Sequence, residues 1–458
     1  MTTTTGLPVY LTGTLGPVPD EIDAAELTVE GAIPPELDGR YVRNGSNPLR
    51  GVDPGHYFTG QGMLHGVRLN GGRASWYRNR WVQTPTLQGA RGVKPDRTWN
   101  LHASVANTSV LRYNDALFAL VETAVPYEIT PDLETVGPFD FNGRLQTPMT
   151  AHPKRDPATG ELHFFGYAMR PPFVTYHVAS ADGRLLRSEP ISVTGPTMMH
   201  DFAITEHYVV WLDMPAVFDV ALAGDYAMPI RWSDDYPPRI GVMPRAGGDA
   251  QTRWIGVKPG YAFHVSSAHE DADGRVVLEA VVYDRQGFNT MWARFGGVSV
   301  LSEEQARLPL SGGALYRWVL DPAAGLISEA PLDDLAIEFP TANSERLGRE
   351  NRFTFAVTSP MMTDANGGRI VKYDRGGGER TFHELGAGWV PGEPLFVPAR
   401  GAMSEDDGFL LSIVVHQTAD ASRLLVSSAS RLSDPPIAVV HLPRRVPEGF
   451  HGTWIPER

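Results

Sequence analysis

The sequence contains no cysteine, and it has no long uninterrupted apolar run. Without cysteine, disulfide frameworks, thiolate zinc sites, iron–sulfur clusters and cysteine nucleophiles are all excluded. Any metal must therefore be bound through nitrogen or oxygen. Apolar runs such as Tyr208–Met214 and Phe409–Val415 are short, whereas a membrane-spanning helix needs roughly 20 residues.

Positive charge is also scarce. The chain has 40 Lys and Arg against 53 Asp and Glu, which gives a net charge of −13. Nucleic-acid-binding proteins more often carry a basic surface, so we expect no nucleic-acid partner. No Lys or Arg precedes Arg40, and the N-terminal segment therefore lacks the basic start of a secretory signal. We expect a cytoplasmic protein, and attachment to one membrane leaflet is left open.

What the sequence does contain is typical of an all-β protein. Turn dipeptides that favour positive φ precede or separate strand-like runs, as at Asn70-Gly71-Gly72, Asp182-Gly183 and Asp273-Gly274. With 47 Gly and 38 Pro, long helices are poorly supported. Two short helices are predicted, near Ser302–Leu308 and Ala216–Ala227. No composition shift marks a linker, so we expect one domain over residues 1–458, and many short strands in one chain favour a β-propeller.

Four of the 14 histidines stand in apolar surroundings: His152, His200, His264 and His451. They are separated by 48, 64 and 187 residues, with no local pair at helical spacing. Taken singly, each is more readily a packed core histidine than a metal ligand. Spacing alone therefore does not predict a metal site.

Ten motifs in order along the chain resemble those of the carotenoid cleavage oxygenase family, which includes apocarotenoid oxygenases, retinal isomerases and stilbene-cleaving dioxygenases. One such motif would be weak evidence, but ten in order and at similar spacing are specific. The motifs are DGRYVRNGSNPL, GQGMLHGVRL, ANTSV, AHPKRDPATGEL, MMHDFAITEHYVVWLDMP, FHVSSAHE, IEFP, EPLFVP, EDDGFLLSIV and FHG.

The resemblance implies a seven-bladed β-propeller with a small helical cap and ferrous iron, Fe(2+), on the propeller axis. It places the iron ligands at His152, His200, His264 and His451. Neutral imidazole is a good ligand for iron, and a metal-bound imidazole usually donates its other N–H to a carboxylate or carbonyl. The carboxylates that would accept these hydrogen bonds are Glu122, Glu338 and Glu393.

Further positions follow from the same motifs. Thr108 in ANTSV matches a family residue that lies over one open coordination position of the metal. Where the family often has Phe-Asp-Gly-Asp-Gly-Met, this chain has Phe58-Thr59-Gly60-Gln61-Gly62-Met63. Neither acid is present, and we interpret the change as local hydrogen-bond variation. Val121, Met198 and Phe263 are candidates for lining a substrate tunnel, with plain core packing at least as plausible for each.

The expected activity is oxidative cleavage of a conjugated C=C bond in a carotenoid or apocarotenoid by O2, which gives two carbonyl products. Stilbene-cleaving relatives carry a Lys where this chain has Val121, together with an upstream Tyr. No Tyr lies between Trp81 and Thr108, so a phenol would have no partner there. An apolar polyene is therefore the favoured substrate, and a stilbenoid or phenylpropenoid is the alternative.

Other classes stay open at this point. A lactonase-like or glycosidase-like propeller hydrolase predicts a site built from Asp, Glu and Asn, and a noncatalytic propeller could bind an apolar ligand without consuming oxygen. Isomerase activity, as in the retinal branch, would use the same iron site. The segment Met214–Trp232 is a candidate for peripheral membrane contact, or equally for a surface insertion. The sequence does not predict the oligomeric state.

Overall fold

Short antiparallel strands form almost all of the regular structure. The computed structural model describes residues 6–298, 312–358 and 367–457. In the first part of the chain the strands are β1 (Asp23–Ala25), β2 (Val29–Gly31), β3 (Gly39–Ser46), β4 (Gly62–Asn70), β5 (Arg73–Trp81), β6 (Ser109–Tyr113), β7 (Ala116–Leu120), β8 (Tyr127–Ile129), β9 (Thr135–Pro138), β10 (Lys154–Arg155), β11 (Leu162–Tyr167), β12 (Val174–Ala179), β13 (Leu185–Ile191), β14 (Ala203–Ile204), β15 (Tyr208–Asp213), β16 (Ala216–Phe218), β17 (Ile230–Trp232), β18 (Arg239–Pro244) and β19 (Arg253–Gly256).

The second part of the chain continues in the same way. Its strands are β20 (Tyr261–Glu270), β21 (Val276–Tyr283), β22 (Gly313–Asp321), β23 (Gly325–Thr341), β24 (Phe353–Thr358), β25 (Arg369–Asp374), β26 (Arg380–Glu384), β27 (Trp389–Val390), β28 (Leu395–Pro398), β29 (Gly408–His416), β30 (Ser422–Ser428), β31 (Ala438–His441) and β32 (Gly452–Pro456).

These strands pair into the blades of a propeller. Three sheets have four strands each, in the orders β6-β7-β8-β9, β10-β11-β12-β13 and β14-β15-β18-β19, and a fourth has the order β1-β5-β4-β3-β32. A further sheet combines β2 and β27–β31. Strands β16 and β17 form a separate two-stranded sheet. The largest sheet, β20–β26, divides at the 17-residue strand β23, because the pairing with β22 jumps from Ala336 to Pro331 while Ile337–Thr341 pairs with β24. The sheets therefore make seven blades, and the all-β propeller prediction is confirmed.

The two ends of the chain meet in one blade. Strand β3 pairs with β4 on one side and with β32 on the other, and Gly39 lies opposite Pro456. A late strand thus completes a sheet that early strands begin. This pairing closes the ring, so that fewer strand edges are left unpaired.

The predicted turns lie where the sequence placed them. Gly71 and Gly72, at φ +54° and +76°, connect β4 to β5. Gly183 and Gly274 have φ of +88° and +76° in the turns after β12 and β20. Positive φ is readily adopted by glycine, which explains why these dipeptides end strands so reliably.

The helices differ from the sequence-based expectation. Ala216–Ala227 is not a helix: its first residues form β16, which pairs with β17, and a short 3-10 turn follows at Val220–Leu222. The other predicted helix, Ser302–Leu308, lies outside the described residues. The α-helix that the described residues do contain, α1 (Arg285–Arg294), begins at the N-cap Asp284, whose side chain accepts a hydrogen bond from the Gly287 N–H at 2.7 Å.

Helix α1 is a small addition to the strands, and so are five further 3-10 turns in the described residues, at Val9–Leu11, Tyr57–Thr59, Pro85–Gln88, Asp249–Gln251 and Ser344–Arg346. The α1 side chains Phe288 and Trp292 are fully buried. The Phe288 ring lies 5.0 Å from that of Tyr261, at the start of β20. Within the described ranges, no helix is both long and apolar enough to cross a membrane.

Candidate metal centre

The four histidines of the apolar motifs lie at the inner ends of different blades. His152 and His200 stand just before β10 and β14, His264 is in β20, and His451 immediately precedes β32. In a propeller the inner strands surround one axis, so residues far apart in sequence can share a centre. The fold therefore brings together side chains that sequence spacing alone would not relate.

Ring nitrogens of these histidines converge. The Nε2 atoms of His152 and His200 are 3.0 Å apart. One ligand nitrogen from each of His152, His264 and His451 lies within 4.8 Å of the others. The His200 ring centroid is 5.2 Å from that of His264. The Nε2 atom of His264 is buried and has no hydrogen-bond partner among the described residues.

Three carboxylates fix the orientation of three of the rings. His200 Nδ1–H donates to Glu122 at 2.7 Å, His264 Nδ1–H to Glu338 at 2.6 Å, and His451 Nδ1–H to Glu393 at 2.8 Å. Because each Nδ1 carries the shared proton, the Nε2 lone pair of each ring faces the centre. This is the tautomer that a metal ligand needs.

The protonation of the site follows from burial and neighbouring charge. Burial lowers the pKa of His152, and the neighbouring histidines lower it further. Burial also lowers the pKa of His264, although Glu338 partly opposes the shift. For His200 burial acts in the same direction, but the charge and hydrogen bond of Glu122 outweigh it, so its pKa is raised. The centre therefore favours neutral imidazole at His152 and His264.

A buried ion pair connects the chain segments of three of the histidines. Asp201, which follows His200, accepts from Lys154 Nζ at 2.7 Å and from the Val265 N–H at 2.9 Å. Lys154 lies two residues after His152, and Val265 follows His264. A single sequence does not reveal this role, although Lys154 and Asp201 both belong to the motifs that carry the family resemblance.

Thr108 lies directly beside the histidine centre through its backbone. Its carbonyl oxygen accepts from the His451 N–H at 3.2 Å, and its own N–H donates to the Leu120 carbonyl at 2.9 Å. Its hydroxyl donates to the Asn107 side-chain oxygen at 3.0 Å. Thr108 is therefore held in place on the wall of the cavity that leads to the histidines.

That cavity has a volume of about 910 Å³ and is lined mainly by apolar groups. His200, His264 and His451 form part of its wall, and residues 89–95, 223–224 and 226–229 form another part. Val121 and Phe263 line it as the sequence suggested. Met198 is not among the described residues that line it: the side chain is buried in the core, and the Met198 carbonyl accepts from the Tyr261 hydroxyl at 2.9 Å. The core-packing interpretation therefore holds for Met198.

Two aromatic residues at the centre were not anticipated. Phe339 stacks on the His264 ring at 5.5 Å and has φ +52°, in the left-handed region. The Tyr283 hydroxyl donates to Glu338 at 3.1 Å, which leaves that carboxylate with donors on both oxygens. Phe339 directly follows Glu338 in the IEFP motif, but nothing in a single sequence signals its unusual backbone.

The arrangement fits a divalent transition metal. An unpartnered buried Nε2 is unfavourable in a folded protein, and several neutral imidazoles aimed at one point are the donors that iron and similar metals accept. Three carboxylates nearby would also offset the charge of such an ion. All seven ligand and carboxylate positions named from the sequence meet at this centre.

The chain matches the family model described as retinal pigment epithelial membrane protein (RPE65) over residues 15–456. The chain belongs to the RPE65 family of carotenoid cleavage oxygenases. A relative in this family, the carotenoid cleavage oxygenase of Mycobacterium tuberculosis, is 37% identical, with 98% of this chain and 97% of the relative covered.

Solved structures of other carotenoid cleavage oxygenases are also similar. The lignostilbene dioxygenase of Pseudomonas brassicacearum has a TM-score of 0.85 at 27% identity, over 98% of this chain and 99% of that one. A cobalt-substituted apocarotenoid oxygenase of Synechocystis has a TM-score of 0.82 at 26% identity, over 96% and 97%. The family resemblance seen in the motifs is thus confirmed along the whole propeller.

Proposed function

We propose that the protein is an Fe(II)-dependent dioxygenase that cleaves one conjugated C=C bond of a carotenoid or apocarotenoid and gives two carbonyl products. The observation that carries this proposal is the convergence of four histidines, three of which are supported by carboxylates and line a large apolar cavity. Membership of the carotenoid cleavage oxygenase family and the names of its relatives support the same activity. Residues 1–458 would form one catalytic domain.

Each residue has a distinct role in this proposal. The iron would be held by His152, His200, His264 and His451. The carboxylates of Glu122, Glu338 and Glu393 accept hydrogen bonds from the Nδ1–H groups of three of these rings and fix their orientation. When bound, ferrous iron supplies the activation of O2. Both atoms of O2 go to the cleaved bond and the substrate supplies the electrons, so no external reductant is needed. Thr108 would restrict access beside the metal.

Val121 and Phe263 would select the substrate by shape. Both are apolar and both lie on the cavity wall. They can bind and position a rigid polyene, and position selects the bond that reacts. At Val121 the chain offers no charged or polar group next to Glu122. The second candidate function, cleavage of a stilbenoid, is favoured by the structural similarity to the lignostilbene dioxygenase.

Membrane contact also stays a prediction. Residues 223–224 and 226–229, inside the segment Met214–Trp232, line the cavity, and Val220 nearby is 47% exposed. An apolar substrate would enter most directly from a lipid surface if this segment lay against it. The similarity to the family supports the substrate class, but it does not test whether this segment contacts a membrane.

The ligand role is tested by His200→Ala. Loss of one imidazole removes a ligand and leaves the Glu122 carboxylate without its donor, so we expect iron content and cleavage activity to fall together, each by more than about ten-fold. Iron is measured by mass spectrometry after anaerobic loading, and activity by oxygen uptake. His102→Ala, at a side chain that is 57% exposed, is the control and should retain both. A fully active variant without iron would contradict the proposal.

The substrate is tested by mass spectrometry of products formed under air. The iron-loaded protein is offered an apocarotenal and a 4-hydroxystilbene in parallel. Shortened aldehydes from the polyene support the main proposal and locate the bond, whereas aromatic aldehydes from the stilbene alone would favour the second candidate. No product from either substrate, with no oxygen uptake, would count against both and favour a carrier or an isomerase.

A further inference from the structure

The ring of His152 is held differently from the rings of the other three histidines. Those three rings each donate to a carboxylate, namely Glu122, Glu338 or Glu393. In the part of the chain that the structure describes, no carboxylate accepts a hydrogen bond from the His152 ring. Partners that orient a ligand ring are important for metal affinity. The position of His152 therefore depends on how its own chain segment is held.

Two links connect the segment of His152 to that of His200. The Thr150 hydroxyl accepts from the His152 N–H at 3.2 Å and donates to the His200 carbonyl at 3.4 Å. Two residues beyond His152, the Lys154 Nζ atom lies 2.7 Å from the Oδ1 atom of Asp201, the residue that follows His200. The Thr150 bonds are long and neutral, whereas the second link is short and joins two charges. The ion pair is therefore the stronger link.

The Asp201 carboxylate also reaches the segment of His264. Its Oδ2 atom accepts from the Val265 N–H at 2.9 Å, and its Oδ1 atom accepts from the Phe202 N–H at 2.8 Å. The register of β20 against β21 shifts on both sides of Val265. Such an irregularity redirects the groups of a strand, and here it coincides with the bond to Asp201. One carboxylate thus contacts the chain beside three of the histidines.

Both charges of this pair are withdrawn from water. The Asp201 side chain is 2% exposed and that of Lys154 is 14% exposed. Loss of one partner from such a pair leaves an uncompensated buried charge, whereas replacement of both by neutral groups is often neutral or stabilising. Net stability is therefore a poor explanation for the pair, and the geometry that it fixes is a better one.

We propose that Lys154 and Asp201 are positioning residues for the metal centre. Their ion pair takes the place of the carboxylate that His152 lacks, and it sets the position of His152 relative to His200 and to the start of β20. This inference rests on the proposed function, because it concerns the iron that the histidines would hold. Without the pair the histidines are still present, but their rings are no longer pre-set for one common centre, so the metal binds more weakly.

The test removes both charges and compares metal binding with folding. Lys154→Met/Asp201→Asn leaves no unpaired buried charge, and the asparagine can still accept from the Val265 N–H. We expect the affinity of the full-length protein for Co(II) to fall about 10- to 100-fold, and the visible absorption of the Co(II) complex to change as the nitrogens shift. The midpoint of urea unfolding should stay close to that of the wild type. Lys154→Arg, which keeps the charge, should lose less affinity than the double variant.

Lys372 and Asp406 provide a matched control. Their side chains are similarly buried, 9% and 12% exposed, and the Lys372 Nζ atom lies 2.5 Å from the carboxylate. Lys372 also donates to the Ala429 carbonyl at 2.9 Å. This pair therefore joins β25 to segments that carry none of the four histidines. Lys372→Met/Asp406→Asn should keep the Co(II) affinity and the absorption spectrum of the wild type.

The outcomes separate this inference from the proposed function. An unchanged Co(II) affinity and spectrum in Lys154→Met/Asp201→Asn would overturn the inference and leave the proposed function standing. An equal loss of affinity in both double variants would indicate a general effect of buried charge on folding, and would overturn the inference as well. A wild-type protein that binds neither Co(II) nor Fe(II) would overturn the proposed function together with this inference.

Discussion

An imidazole ring has two nitrogens, and in three rings of this centre one nitrogen donates a hydrogen bond while the other faces the axis. In His200, His264 and His451 the Nδ1–H is committed to a glutamate, and this leaves Nε2 free to face the axis. No carboxylate among the described residues forms such a bond with His152, whose ring lies 4.6 to 5.1 Å, centroid to centroid, from the rings of the other three histidines. Three glutamates therefore orient three of the four rings.

At the residue scale, Glu393→Gln should weaken metal binding. The two oxygens of Glu393 accept from His451 Nδ1–H and from the Gly452 N–H, at 2.8 and 2.6 Å. A glutamine in either orientation would place its NH2 against one of these donors. We expect affinity for Co(II), followed by its visible absorption, to fall about 10- to 100-fold. Glu134→Gln, at a side chain 64% exposed, is the control, and an unchanged Co(II) affinity in Glu393→Gln would refute the role.

The family resemblance and the spacing of the histidines gave different predictions for these residues. The ligand and carboxylate residues were named because the resemblance supplied a common centre, whereas spacing alone favoured core histidines. Phe339 and Asp201 were missed, since a left-handed backbone and a cross-link between loops are properties of the assembled structure. Met198, for which core packing was at least as plausible, lies in the core, because a side chain next to one of these histidines can point into the core as readily as into the cavity.

At the scale of elements, strands were easier to predict than helices. Asn70-Gly71-Gly72 marks a tight turn through local backbone preference alone, so the β4–β5 hairpin follows from the sequence. Helix α1 was not predicted because seven of its ten residues are buried, so it lacks the polar face that produces helical periodicity. The stretch from Ala216 was wrongly predicted to be helical, since its pairing with β17 lies beyond any local pattern.

A buried charge cluster joins strands of neighbouring blades. Glu279, in β21, accepts from Arg317 Nε at 2.9 Å, and it also pairs with Arg375, which follows β25. Burial alone would raise the pKa of Glu279, but the two guanidinium groups outweigh it and the pKa is lowered. A carboxyl whose folded pKa is below its unfolded pKa stabilises the protein above the unfolded value, near 4.3. This stabilisation is lost as the pH falls through the lowered pKa.

Glu279→Gln should therefore destabilise the protein at neutral pH. We expect a loss of about 1–3 kcal/mol in the free energy of unfolding at pH 7, since two partly exposed arginines lose their partner. Urea denaturation at pH 7 and at pH 3 measures the difference between wild type and variant, which should shrink at the lower pH. Asp273→Asn, at a side chain 69% exposed, should cost less than about 0.5 kcal/mol. A difference that is the same at both pH values would contradict this account.

At the scale of the whole molecule, the pairing of β3 with β32 holds the ring closed. The two strands approach so closely at Gly39 that a β-carbon there would lie 2.4 Å from the Ile455 carbonyl oxygen and 2.9 Å from the Pro456 Cα. Such contacts with backbone are not relieved by a change of rotamer. The glycine is thus required by close approach and not by its φ.

Gly39→Ala should therefore weaken the closure and destabilise the whole propeller. We expect a loss of about 1–3 kcal/mol, measured as a lower midpoint of urea unfolding, together with weaker metal binding because His451 lies next to β32. Gly256→Ala is the matched control, since a β-carbon at Gly256 meets no atom within 4 Å. If both variants unfold at the wild-type midpoint, the pairing of β3 with β32 does not limit the stability of the protein.

The position of His451 immediately before β32 has a consequence for how the protein is made. The ribosome finishes His152, His200 and His264 long before it reaches His451, which lies 187 residues after His264. A nascent chain can therefore build most of its blades while it still lacks both the last of the four histidines and the strand that completes the ring. If these histidines hold the iron as proposed, its capture by all four is a late event in biosynthesis, coincident with the final folding step, and a prematurely terminated polypeptide would be released without it.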